Sequence, residues 1–476
     1  MKKIIIVSAI GVFLTGLYSC SKDVDLYQSV KTEDAYNTVL DVDNGVNGAY
    51  YALGTYRFLG MDVPALGDMA SDVAVANSSS GHFVTINKYT TNEYGTEVQE
   101  IWQYGYKVVD RCVRTIAGAN ALLPKTTSDA DLATLYGAKA QCYALRALAD
   151  FYLVNIYGLP YRGVLGSANN TQLGIVLLTD KPVEPFTQVT RSTVEETYAQ
   201  ILTDIDSAKV NYALYSTANG VDSYNQFYMN KAAIYALEAR VRLFVNDYSG
   251  AATAAQTAIN LRHPAAVSNE TYVNMWKSVA ITNEDIFTIA KSDNDNLSAN
   301  ALNTLYGSYK GTISSYARGL LAGTDIRKSL IGSYTTTNQP AKFQGTATSQ
   351  AVSNIPIFRV SEMYLIMAEA KAQLSDIPGS QDALLFTAKR NTAIQSVADL
   401  PSDQAGLLTF IADENVREFF AEGHRWFNLR RTGGTFSLTA GVLDVQNFVY
   451  PIPDSEVSAG FGVEQNENWF SAIPTL

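Results

Sequence analysis

Apolar residues recur at spacings of three and four along most of the chain, and that period predicts helices. Val39, Val42, Val46, Ala49 and Leu53 mark one helix over residues 33–56. A second, over 97–120, carries Trp102 and Tyr106. A third runs over 132–157, with Leu135, Ala138, Cys142, Leu145, Ala149 and Tyr152 on its stripe and Gly158-Leu159-Pro160 as its stop. Ser192 or Thr193 caps a fourth, over 193–214, with Glu195 and Glu196 in its first turn. Two further helical runs span 355–374 and 383–392. Phe419, Phe420, Trp426, Phe427 and Leu429 then line one face of a helix over 414–433, with Arg430 and Arg431 ahead of a terminal Gly433.

Part of this pattern repeats. Lys139-Ala140, Tyr143-Ala144-Leu145 and Ala147 recur as Lys231-Ala232, Tyr235-Ala236-Leu237 and Ala239, and more loosely as Tyr364-Leu365, Ala368 and Ala370-Lys371. Each of the last two copies is followed by a short turn and a second helix with small residues at the crossing points. That is the logic of tetratricopeptide-like pairs, because small side chains let helices approach closely. The predicted fold is therefore mainly α, a tetratricopeptide-like helical-pair scaffold decorated by long loops and short strands, with one domain over residues 35–476.

Three stretches break the period. Residues 159–192 read as loop with short strands. Residues 57–96 are dense in Gly, Asn, Ser and Thr, and residues 262–345 in Asn, Ser, Gly and Tyr, with one strand near Ile286. Insertions of that length in a compact domain are usually functional.

Composition narrows the chemistry. The formal net charge of −11 disfavours nucleic acid and anionic membrane surfaces as partners. No phosphate loop, dinucleotide fingerprint, nucleophile elbow or His-Glu-x-x-His stands in the chain. No Cys/His metal spacing occurs, Ser292-Asp293-Asn294-Asp295-Asn296 lacks the Gly and distal Glu of a calcium loop, and neither a metal nor a cofactor is expected. Cys112 and Cys142 fall in helical patterns among apolar neighbours and read as buried thiols, with a disulfide between them left open. The carboxylates and His424 of the 414–433 stretch read as packing and ion-pair residues, because helix-packing spacing rarely converges on one substrate atom.

The N-terminus predicts an address. Lys2 and Lys3, an apolar run over 4–17 and Leu17-Tyr18-Ser19-Cys20 describe a signal peptide over 1–19 with a lipobox, leaving Cys20 as the lipidated residue and 20–34 as a tether. Loss of the two lysines takes the net charge from −11 to −13. The polar, acidic run after Cys20 is similar to a surface-export signal of Bacteroidetes lipoproteins, which would place the chain outside the outer membrane on its acyl chains.

Several segments resemble one family. Arg417, Glu422, Gly423, Arg425, Trp426, Leu429 and Arg431 match the C-terminal signature of the SusD/RagB family of surface glycan-binding lipoproteins, with Asn428 where Asp is usual. Tyr450-Pro451-Ile452-Pro453, Ser455-Glu456 and Gln465-Asn466 resemble its closing pattern. Arg359 with Glu362, Arg146-Ala147 with Tyr157-Gly158, and Asp325 with Arg327 are similar to its other motifs, in family order. The resemblance implies a non-catalytic binder whose ligand surface is built from loops over the scaffold. It also implies an oligosaccharide ligand and a SusC-like TonB-dependent transporter as partner. Aromatic faces and hydroxyl-binding polar groups suit a neutral glycan. The two insertions offer Asp68, Asp72, Asn77, His82, Tyr89 and Asn92 from the first, and Tyr306, Tyr309 and Tyr316 from the second. A peptide or glycopeptide binder of the same import system, a tetratricopeptide-like envelope adaptor and a lipid-anchored hydrolase are the alternatives.

Overall fold

The computed structural model describes residues 35–438 and 441–472, apart from 168, 180, 220–224, 263–265, 333–337, 347–348, 350 and 468. Cys20, the signal peptide and the tether lie outside the described residues.

The predicted helical segments form, with the 414–433 stretch divided in two and a further helix at Asp62–Met69 where loop is expected. They are α1 (Val39–Leu53), α2 (Asp62–Met69), α3 (Thr96–Leu122), α4 (Asp129–Tyr157), α5 (Val194–Asn219), α6 (Lys231–Phe244), α7 (Tyr248–Arg262), α8 (Val360–Gln373), α9 (Ile377–Ala388), α10 (Gln404–Phe419) and α11 (Arg425–Thr432). Local chemistry starts several of them. Thr38 and Asp41 close a reciprocal capping box on α1, and the Ser128, Asn230, Asp376 and Asp403 side chains cap α4, α6, α9 and α10. Consecutive helices pack side by side, α4 on α5, α6 on α7 and α8 on α9. Both helices of the α6–α7 pair bury small residues, Ala232, Ala236 and Ala239 on α6 and Ala251, Ala255 and Ala258 on α7. The mainly α, tetratricopeptide-like scaffold is thus present. Cys112 and Cys142 are buried free thiols on α3 and α4.

Three sequence expectations change. Residues 355–359 are the strand β4 (Ile355–Arg359), not the start of a helix, because they pair antiparallel with β2 (Asp285–Ile289). Residues 57–96 are less loop than their composition suggests. The run from Phe58 to Ala70 is buried, with a π-helical turn at Tyr56–Gly60 leading into α2. Residues 414–433 are two helices, not one. The chain turns between α10 and α11, where Ala421 has φ 65° and Gly423 has φ 81°. Gly67 of α2 sits against that turn, so closely that an added Cβ would fall 1.9 Å from the Gly423 carbonyl oxygen.

Buried ion pairs fasten the scaffold. Arg146 of α4 holds Asp204 of α5 through two bonds of 2.7 Å, and Arg240 of α6 holds Glu362 of α8 at 2.6 and 2.7 Å. Glu418 of α10 meets Arg359 at 2.9 Å, Arg390 at 3.0 Å and Arg327 at 3.1 Å. Desolvation would raise its pKa, but Arg390, Arg359, Arg327 and Lys342 outweigh that and hold it well below the usual carboxylate range.

Candidate functional site

The two insertions meet. The short strand β1 (Ala74–Val75) pairs antiparallel with β3 (Thr312–Ile313), and the Ser314 N–H donates to the Val73 carbonyl at 2.8 Å. Residues far apart in sequence are thereby brought to one joint.

On this joint the His82 and Tyr309 rings stack, with centroids 3.9 Å apart and planes 14° from parallel. The Asn77 amide crosses between the insertions and donates to the Tyr309 carbonyl at 3.1 Å. Its oxygen accepts from Ser79 N–H at 3.2 Å, while Ser80 Oγ donates to the Asn77 carbonyl at 2.8 Å. The 77–82 loop is therefore held by its own side chains. Phe83, next to His82, has φ 56°, and Lys310, next to Tyr309, has φ 61°. Non-glycine residues seldom occupy that region, and such strain clusters at ligand clamps. Val75 of β1 stands exposed. His82 and Tyr309 are each half-buried, so an aromatic platform remains open at its edge.

Tyr316 forms the other end of the joint. It is 37% exposed, and its hydroxyl lies 3.3 Å from Asp413 Oδ1 and 3.3 Å from Arg425 Nη2. Burial, with Asp72 and Asp413 nearby, pushes its pKa up to about 12 against the opposing effect of Arg425, so the phenol keeps its proton. Arg425, the first residue of α11, also grips Asp72 at 2.8 and 2.9 Å. This bidentate pair clasps the first insertion to the scaffold.

The remaining sequence candidates lie elsewhere. Asp68, Tyr89 and Tyr306 are buried, and Asp72 spends its carboxylate on Arg425, so none of the four offers a free group at the surface. Asp68 faces the Ala421 and Gly423 backbone N–H groups and the Tyr306 hydroxyl without closing a well-formed hydrogen bond. Burial pushes its pKa up to about 8. Tyr89 donates to the Ala70 carbonyl and packs edge-on to Phe448. Asn92 is exposed, but it accepts from Tyr94 N–H in a turn whose Glu93 carbonyl bonds Asp454 N–H, away from the Tyr309 platform. Asp413 and Val75 were not singled out by the sequence. Arg425 was visible only as a signature residue, with no sign of its reach to Asp72 and Tyr316.

Comparison with known proteins agrees with this architecture. A family model described as "SusD family" matches residues 269–441, and one described as "Starch-binding associating with outer membrane" matches residues 26–243. A SusD-like protein of Formosa agariphila is 23% identical over 508 residues, covering 90% of this chain and 92% of its own. A SusD superfamily protein of Bacteroides vulgatus is 27% identical with a TM-score of 0.79, over 91% of this chain and 99% of that one. A SusD-like carbohydrate binding protein of the same species is similar in fold, with 21% identity, a TM-score of 0.71 and 85% of each chain covered. Between them the two family models take in both insertions and most of the helical scaffold, and the chain belongs to the SusD/RagB family.

Proposed function

We propose that this protein is a non-catalytic cell-surface lipoprotein, anchored in the outer membrane through Cys20. In this reading it binds neutral oligosaccharides on the joint of its two insertions and passes them to a TonB-dependent transporter. The observation that carries the reading is the His82–Tyr309 stack, a rigid aromatic platform with polar side chains at its edge. Sugar rings present C–H faces to aromatic planes and hydroxyls to amides and phenols, so Asn77 and Tyr316 complete the set. Membership of the family, the carbohydrate-binding neighbour and the outer-membrane wording of one family model support the glycan and the location.

Capture tests it. A soluble chain from Ser21 onward, without the lipidated Cys20, is incubated with mixed plant, fungal and host oligosaccharides and a peptide digest, and bound species are identified by mass. Intact glycans of one linkage class are expected, lost in Tyr309→Ala. Recovered peptides, shortened glycans or capture that survives Tyr309→Ala would overturn the reading.

A further inference from the structure

A cavity of about 260 Å³ opens between α8, α10 and α11, with Arg425 of the Asp72–Arg425 clasp in its lining. Its floor is apolar, with Phe419 and Phe420 buried, and the His424 ring stacks on Phe419 at 4.3 Å and 11°. Val73, two residues before the exposed Val75, lines it, and so does Arg425, which touches Tyr316. An extended chain advances about 3.3 Å per residue, so Val73 and Asn77 lie within the reach of a short oligosaccharide.

The polar lining is unfinished. Asn415 donates its amide to the Ile411 carbonyl at 2.9 Å, and no protein donor among the described residues reaches its Oδ1. Asn428 accepts from Arg431 Nε at 2.8 Å and leaves its Nδ2 without an acceptor among them. The His424 ring nitrogens have no protein partner there either. Desolvation holds this imidazole neutral, with one donor and one acceptor. Charge is already balanced. Arg431 is closed by Glu369 through two bonds of 2.6 Å, and Arg425 by Asp72. A carboxylate or ammonium terminus would find no free counter-charge.

We infer that this cavity is a second site that takes one neutral sugar residue, the end of the glycan that the aromatic joint holds. A pyranose fits its chemistry. One face can lie on the His424 ring, whose other face stacks on Phe419, while hydroxyls meet Asn415, Asn428 and the imidazole. The inference rests on the glycan reading of the joint, but it adds that the protein reads a chain end.

The test uses the same soluble chain and saturation-transfer NMR with free glucose, galactose, mannose, xylose and N-acetylglucosamine. Ala412→Trp and Thr432→Trp fill the cavity from exposed rim positions without touching the core. With the joint disabled by Tyr309→Ala, transfer to at least one monosaccharide, lost when either filling substitution is added, is the expected result. In that Tyr309→Ala background, no transfer to any of the five, or transfer that survives both filling substitutions, overturns the second site. Oligosaccharide capture that ignores Tyr309→Ala would instead sink the joint, so the two failures are distinguishable.

Discussion

Residues 414–433 and the joint of the two insertions are both rich in charge and aromatic rings, and they use them in opposite ways. In the first, the charged groups are closed within the protein. Glu418 is ringed by arginines, Arg431 is paired with Glu369, and Arg430 donates to the carbonyls of Asn155, Gly158 and Phe448. In the joint, the backbone is pinned while the rings stay open. Asn77 and the β1–β3 ladder fix the frame, and the edges of His82, Tyr309 and Tyr316 face outward. Density of reactive residue types therefore does not mark a site. What distinguishes the joint is a rigid frame around aromatic rings that stay partly exposed.

Breaking the closed region should cost the most. Glu418→Ala leaves three buried arginines short of a partner and should destabilise folding by about 3–5 kcal/mol, read by urea denaturation. Tyr309→Ala, at the open region, should cost no more than about 1 kcal/mol in the same experiment. Equal losses would erase the distinction between the regions.

Between the two regions lies Asp68, buried against the turn that separates α10 from α11. Its folded pKa is raised to about 8, so the native state keeps a proton that the unfolded state gives up near pH 4. Stability from this group is present below the unfolded pKa and is lost as pH rises through about 8. The wild type should therefore lose up to about 1.4 kcal/mol per pH unit across that window relative to Asp68→Asn, which mimics the protonated acid. Parallel stability curves for the two proteins between pH 5 and 9, an interval of roughly this span, would show that Asp68 is not held protonated. The smallest effect is expected from Asn92→Ala, which should leave both folding and glycan capture within error. A loss of capture would extend the binding surface toward the 92–95 turn.

The helices were legible in the sequence because burial on one face imposes its own period, and the repeated small residues announced paired helices. Long-range contacts were not legible. The break at Ala421 to Gly423 depends on Gly67, far away in the chain, and β4 exists only because β2 lies beside it. The same holds for the site. Loop composition singled out the two insertions, and Asn77, His82, Tyr309 and Tyr316 gather at or beside their joint. Asp68, Tyr89 and Tyr306 share that composition, yet their side chains turn inward, a difference carried by backbone path and not by residue type. The closing Gln465-Asn466 pair reads as a motif in sequence and as stitching in structure. Gln465 both accepts from and donates to the Ile452 backbone, and Asn466 bonds the Tyr157 and Tyr450 carbonyls.

The central claim is that the joint is a glycan platform, and calorimetric titration of the captured oligosaccharide into wild type, Tyr309→Ala and Glu418→Gln tests it most directly. The account predicts binding that falls by about tenfold or more in Tyr309→Ala, as for an aromatic anchor, and is retained in whatever fraction of Glu418→Gln remains folded. Undiminished affinity in Tyr309→Ala would contradict it.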